Sequence, residues 1–95
     1  MRQLRGTRRL VPLCELDEYI AGWRRLEATF TAAGGHAWLF RAANRQDQFL
    51  EFLEARDLAT LLEHPDVAAA LEALDVSFGE GVYDEWEEVE PSIIS

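Results

Sequence analysis

The chain predicts an α+β fold of βαββαβ order, the ferredoxin-like arrangement with a four-stranded antiparallel sheet. Three observations carry that expectation. An amphipathic helical pattern over residues 17–33 ends in Gly34-Gly35 and feeds the apolar run His36 to Phe40. A polar turn, Asn44 to Asp47, leads into a second apolar run, Phe49 to Leu53, so the two runs form a β-hairpin. A leucine-rich helical segment and a closing acidic, aromatic strand complete the order.

The first strand is expected over Arg8 to Leu16, with Pro12 forcing a bulge or facing away from a neighbour because proline cannot donate to a ladder. Helix one follows, with Asp17 as its N-cap. Tyr19, Trp23, Leu26, Phe30 and Ala33 recur at spacings of four, three, four and three, which places them on one apolar stripe. Gly34 suits the left-handed residue that closes a helix. In the hairpin, alternation sets His36, Trp38 and Phe40 on one face, and Ala37, Leu39 and Arg41 on the other. The next strand divides into Phe49, Glu51 and Leu53 against Leu50, Phe52 and Glu54. Both strands are therefore apolar on both faces, and the sheet needs two covers. Helices supply one, and a partner chain is the obvious second.

Leu58, Leu61 and Leu62 mark a short helix, and Pro65 opens another carrying Val67, Ala70, Leu71 and Leu74. Gly81 to Val89 is the closing strand. In a ferredoxin-like sheet the first and last strands are antiparallel neighbours, which brings Arg8 and Arg9 near Glu87 and Glu88. Opposed charges on paired strands are mildly stabilising, and they explain why basic residues crowd the start and acidic ones the end. The other reading of that segregation is an acidic tail that attracts a partner or a metal.

With 95 residues, 48% hydrophobic and 28% charged, residues 1–95 form one expected domain, of a size at which oligomerisation often removes leftover apolar area. The net charge of −9 argues against nucleic acid as a partner. No run approaches the roughly 20 apolar residues that cross a bilayer, so no membrane partner is expected. The basic opening lacks a signal peptide's apolar stretch, and a single cysteine cannot form an internal disulfide. A reducing, cytoplasmic location is expected. Cys14, on a mostly apolar strand, is expected to be a buried, inert thiol. Cys14, His36 and His64 have no metal-ligand spacing, Gly34-Gly35 follows a helix rather than opening one, and neither a metal nor another cofactor is expected.

Residues 30–41 (FTAAGGHAWLFR), residues 48–57 (QFLEFLEARD) and Leu61 to Val67 resemble the dimeric α/β-barrel superfamily that includes antibiotic-biosynthesis-monooxygenase-like domains. The likeness spans about Arg8 to Val89 and rests on element order rather than on a diagnostic motif. It implies a homodimer in which two sheets pack face to face, with space for a small molecule between a sheet and its helices or its partner. The family includes cofactor-independent oxygenases, haem-degrading enzymes, isomerases, lyases and members without known activity. Its haem-degrading branch carries an Asn on the first strand, and residues 8–16 contain none. That departure argues against haem degradation.

His36 is the candidate acid or base, since imidazole titrates near neutral pH and Trp38 stands beside it. The plainer alternative is a histidine that merely begins a strand. Trp23, Trp38, Arg41 and Trp86 are candidate ligand-binding residues, the tryptophans as walls for a planar molecule and Arg41, with Glu51, as an anchor for an anionic group. The tryptophans serve equally well as core or dimer-interface residues, and Arg41 with Glu51 as a cross-strand pair. His64 is expected at an exposed helix start. Two functions remain: a dimeric, non-catalytic or ligand-binding module, and a cofactor-independent monooxygenase-like or isomerase-like enzyme acting on a small hydrophobic or aromatic molecule.

Overall fold

The structure, a computed structural model, describes residues 1–90; the end of the expected domain span lies outside the described residues. Strand β1 (Gln3–Leu10) leads through a 3-10 turn (Leu13–Glu15) into helix α1 (Leu16–Ala32). Strands β2 (His36–Arg41) and β3 (Gln48–Ala55) form the hairpin. Helices α2 (Leu58–Glu63) and α3 (Pro65–Phe78) follow, and β4 (Val82–Glu87) closes the chain. The sheet has the order β2-β3-β1-β4 with every neighbouring pair antiparallel, which is the expected ferredoxin-like topology.

The first strand departs from expectation. It begins at Gln3 and ends at Leu10, so Pro12 stands outside the ladder, next to the 3-10 turn, and no bulge is needed. Its pattern explains the difference. Ladder partners place Gln3, Arg5, Thr7 and Arg9 on the helix side, opposite Ala55, Leu53, Glu51 and Phe49. The inward face of this central strand is polar, so hydrophobic alternation does not reveal it. Cys14 lies in the 3-10 turn and is exposed, contrary to the buried thiol expected on a strand. Asp17 does not cap α1; it sits in the first turn with Glu18, where the positive end of the helix dipole favours acids.

The expected stripe of α1 does face the sheet. Tyr19, Trp23, Leu26 and Phe30 are buried there with Val11, Phe49, Leu53, Leu58, Val67 and Leu74. Gly22 brings α1 against α3, since a Cβ at this position would lie 2.9 Å from the Leu74 side chain. The end of α1 is closed by Gly34 at φ 103°, and the Gly35 amide donates to the Phe30 carbonyl at 3.0 Å. Asp57 caps α2 by accepting from the Thr60 amide at 3.2 Å. His64 caps α3 by accepting from the Asp66 amide at 3.2 Å, so it is the exposed helix-start residue expected.

Charge pairing joins β1 to β4, although not in the expected register. Arg2 meets Glu88 at 2.8 Å, Arg5 meets Glu85 at 3.3 Å and Arg8 approaches Asp84 at 3.8 Å. Arg9 reaches into the interior instead. There its Nε donates to Glu51 Oε2 at 2.8 Å, its Nη2 to Asp75 Oδ1 at 3.1 Å, and its Nη1 to the Gly79 carbonyl. Tyr19 donates its hydroxyl to the same Glu51 oxygen at 2.5 Å. Burial disfavours charge on Arg9, but the bonds and charges of Glu51 and Asp75 outweigh it and raise its pKa above the ordinary value. Burial, reinforced by the Glu51 charge, pushes the Tyr19 phenol up as well, so it stays protonated.

Two outcomes follow for stability. Removing one member of a buried, hydrogen-bonded ion pair strands the other, so Glu51→Leu alone should cost about 3–5 kcal/mol in urea unfolding. The double variant Arg9→Met with Glu51→Leu should recover most of that loss; simple additivity of the two single costs would contradict the coupling. Trp23→Ala should cost about 3–5 kcal/mol, whereas His36→Ala, on the surface, should stay within about 0.5 kcal/mol.

Candidate functional site

The helices cover one face of the sheet and leave the other open. Gly34 and Gly35 end α1 so that β2 starts at His36, and alternation from there sends His36, Trp38 and Phe40 to the open face. The ladder then arranges this face in rows across all four strands. His36, Glu54, Leu4 and Trp86 form the row at one end of the sheet. Trp38, Phe52, Gly6 and Asp84 form the next, and Phe40, Leu50, Arg8 and Val82 the third. Gly6 matters here, because a Cβ at that position would lie 3.2 Å from the Phe52 ring. Phe52 in turn meets Phe40 edge-on with ring centroids 5.7 Å apart.

The first row carries the chemistry. His36 Nδ1 lies 3.1 Å from Glu54 Oε2, and the imidazole stacks on Trp38 at a centroid distance of 6.2 Å and an interplanar angle of 16°. Glu54 is well covered, with its side chain only 13% exposed, while that of His36 is 67% exposed. A depression of about 320 Å³ opens beside this pair, floored by Leu4 and Glu54 and flanked by Trp38 and Trp86. A broader cleft of about 750 Å³ continues past Glu54 and His36 toward Arg56 and Asp57. Arg2 and Glu88 belong to the rims of both. Arg2 is held by Glu88 through two donor bonds, at 3.2 and 2.8 Å. The Glu88 carboxyl is correspondingly held below its ordinary value by its hydrogen bonds from Arg2.

Of the residues singled out from the sequence, His36, Trp38 and Trp86 share this open face. Trp23 does not: it is buried in the stripe of α1 beneath the opposite face. Arg41 also stands apart, at the far end of β2, where its ladder partner is Phe49. It makes no cross-strand pair with Glu51, which lies opposite Leu39 and is engaged by Arg9 and Tyr19. Glu54, Leu4 and Arg2 were missed as site residues. The alternation of the hairpin already placed Glu54 on the face of His36, but Leu4 and Arg2 became visible only once β1 was seen to begin at Gln3. Among the described residues no cluster of histidine, cysteine and acidic side chains has a metal-holding arrangement. No helix among the described residues is long and apolar enough to cross a membrane.

Neither a family model nor a curated protein matches this sequence. Solved structures do match. A protein from Nitrosomonas europaea, provisionally named an antibiotic biosynthesis monooxygenase, superposes with a TM-score of 0.77 at 10% identity over 95% of this chain and 92% of its own. SnoaB, a cofactor-independent oxygenase from Streptomyces nogalater, matches with a TM-score of 0.72 at 14% identity, covering 94% of this chain and 93% of its own. A conserved protein of unknown function from Bacteroides thetaiotaomicron matches with a TM-score of 0.73 at 17% identity, covering 92% and 96%. Identities this low speak to fold alone. The chain has the fold of these proteins, among them ones named as antibiotic biosynthesis monooxygenases.

Proposed function

We propose that this chain is a single-domain homodimeric module in which the open faces of two sheets pack together and enclose a small ligand, without catalysing its conversion. One observation carries the proposal. On the open face the outer strand β2 exposes Trp38 at 45% and Phe40 at 54%, the other outer strand β4 exposes Trp86 at 59% and Val82 at 67%, and among the described residues no helix covers them. Apolar patches of this kind are association sites, because leaving them in water forgoes roughly 25 cal/mol for each Å² covered. The interior supports a non-catalytic reading, since Arg9, Glu51, Tyr19 and Asp75 are engaged with one another between the layers. A cytoplasmic setting fits the exposed free thiol of Cys14.

A second reading is favoured by a different observation. A histidine whose Nδ1 lies 3.1 Å from a sheltered carboxylate and whose ring stacks on an indole is a suitable general base, and it stands here beside a depression. With SnoaB described as a cofactor-independent oxygenase, an enzyme of oxygenase-like or isomerase-like type acting on a small aromatic molecule is the alternative. Oxygen uptake with a phenolic substrate that disappears in His36→Ala would establish it; uptake indifferent to that change would remove His36 from the chemistry.

Light scattering at micromolar concentration should return twice the chain mass, and a stable monomer there would overturn the dimer. Placing like charges on both outer strands of the face, Phe40→Glu with Val82→Glu, should weaken self-association by roughly a hundredfold or more, each factor of ten being about 1.4 kcal/mol. The far-UV circular dichroism should stay unchanged, because both side chains lie outside the core.

A further inference from the structure

We propose that the depression between Trp38 and Trp86 binds an organic ammonium ion, with the two indoles as walls and the Glu54 carboxylate as counter-ion. The inference names a ligand class for the dimeric module and rests on that reading, because a second copy would shelter a depression that is open on one chain. Charge selects the ligand first. Glu54, Glu87 and Glu88 surround the depression, and the guanidinium at its rim, Arg2, is already held by Glu88. Among the described residues Glu54 has His36 as its ion-pair partner, at 3.1 Å, and the charge of Arg2 also reaches it, but three carboxylates around one guanidinium leave the depression with capacity for a cation. An anionic ligand would face these acids without a free cation to meet it.

The walls narrow the choice further. Indole is the strongest aromatic partner for a cation, and the contact strengthens where water is excluded. Leu4 supplies an apolar floor, which suits alkylated nitrogen better than a strongly hydrated metal ion or primary ammonium. A volume of about 320 Å³ is at the small end of ligand sites and fits one compact molecule. An uncharged arene would gain from the indoles and leave the carboxylate unneutralised.

The test is a titration of the full chain with benzyltrimethylammonium chloride, followed by tryptophan fluorescence and calorimetry, with benzyl alcohol and sodium benzoate as neutral and anionic counterparts. Trp23 is buried in the core, so the fluorescence response comes from Trp38 and Trp86. Saturable binding of the ammonium probe alone is expected, weakened roughly tenfold in Glu54→Gln. Trp86→Leu serves as a second variant and should weaken it similarly, with thermal unfolding confirming that each variant is folded. Equal binding of the three probes, an unchanged affinity in folded Glu54→Gln, or no binding up to roughly 10 mM would overturn the proposal. Light scattering on the same samples separates the two readings: a dimer that fails to bind removes the cation site alone, and a monomer that binds removes the dimer alone.

Discussion

The pairing of Arg9 with Glu51 is the interaction on which the two layers depend. Arg9 belongs to the central strand β1 and Glu51 to its neighbour β3, and both side chains are almost wholly removed from water. Neither charge is tolerable there alone, because the cost of desolvating an ion in the interior amounts to several kcal/mol. Each therefore has further partners. Tyr19 ties Glu51 to α1, Asp75 ties Arg9 to α3, and the Gly79 carbonyl ties it to the turn before β4. Four elements and one turn meet at a single polar knot within an otherwise apolar core, so the depth at which each helix sits above the sheet is set by hydrogen-bond geometry as well as by packing.

That arrangement has a consequence for the other face. Gly79, at φ 82°, begins the turn into β4, and Gly81 passes close to β1, since a Cβ on it would lie 2.8 Å from the Arg8 carbonyl. The Arg9 contact to Gly79 thus helps to fix where β4 begins, and with it the position of Trp86 across the sheet from His36. The ion pairs from Arg2, Arg5 and Arg8 to β4 then hold the strand in register from the outside. These are exposed or partly exposed pairs, worth little singly. Their value lies in alignment, because a slip of one residue would send Trp86 and Val82 to the helix side.

Much of the fold was legible in the sequence. The stripe of α1, the hairpin with its two apolar faces, the divided second helix and the closing strand all follow from hydrophobic period and from the placement of Gly34 and Pro65. The start of β1 was not legible, and the reason is physical. Its inward residues are Gln3, Arg5, Thr7 and Arg9, and three of them find partners far along the chain: Gln3 accepts from the Leu58 amide at 2.9 Å, Arg5 lies 4.0 Å from the Tyr83 ring centroid, and Arg9 pairs with Glu51. A polar strand of this kind resembles a loop until its partners are in place. A first strand expected at residues 8–16 displaces the register with β4 and leaves Leu4 and Arg2 outside the candidate site.

Sequence alone determined the order of elements, the face on which His36, Trp38 and Phe40 lie, and the apolar character of both hairpin faces, since these depend on local periods of two and 3.6 residues. Only the tertiary structure decided which of the flagged residues belong together. Trp23 and Trp86 look alike as letters among charged neighbours, yet one faces the sheet from α1 and the other lies on the bare side of β4. Arg41 and Glu51, plausible partners along a hairpin, are separated by a register that gives Glu51 to Arg9 instead. Long-range pairing sets such outcomes, and a residue's own neighbours in the chain carry no trace of a partner forty positions away.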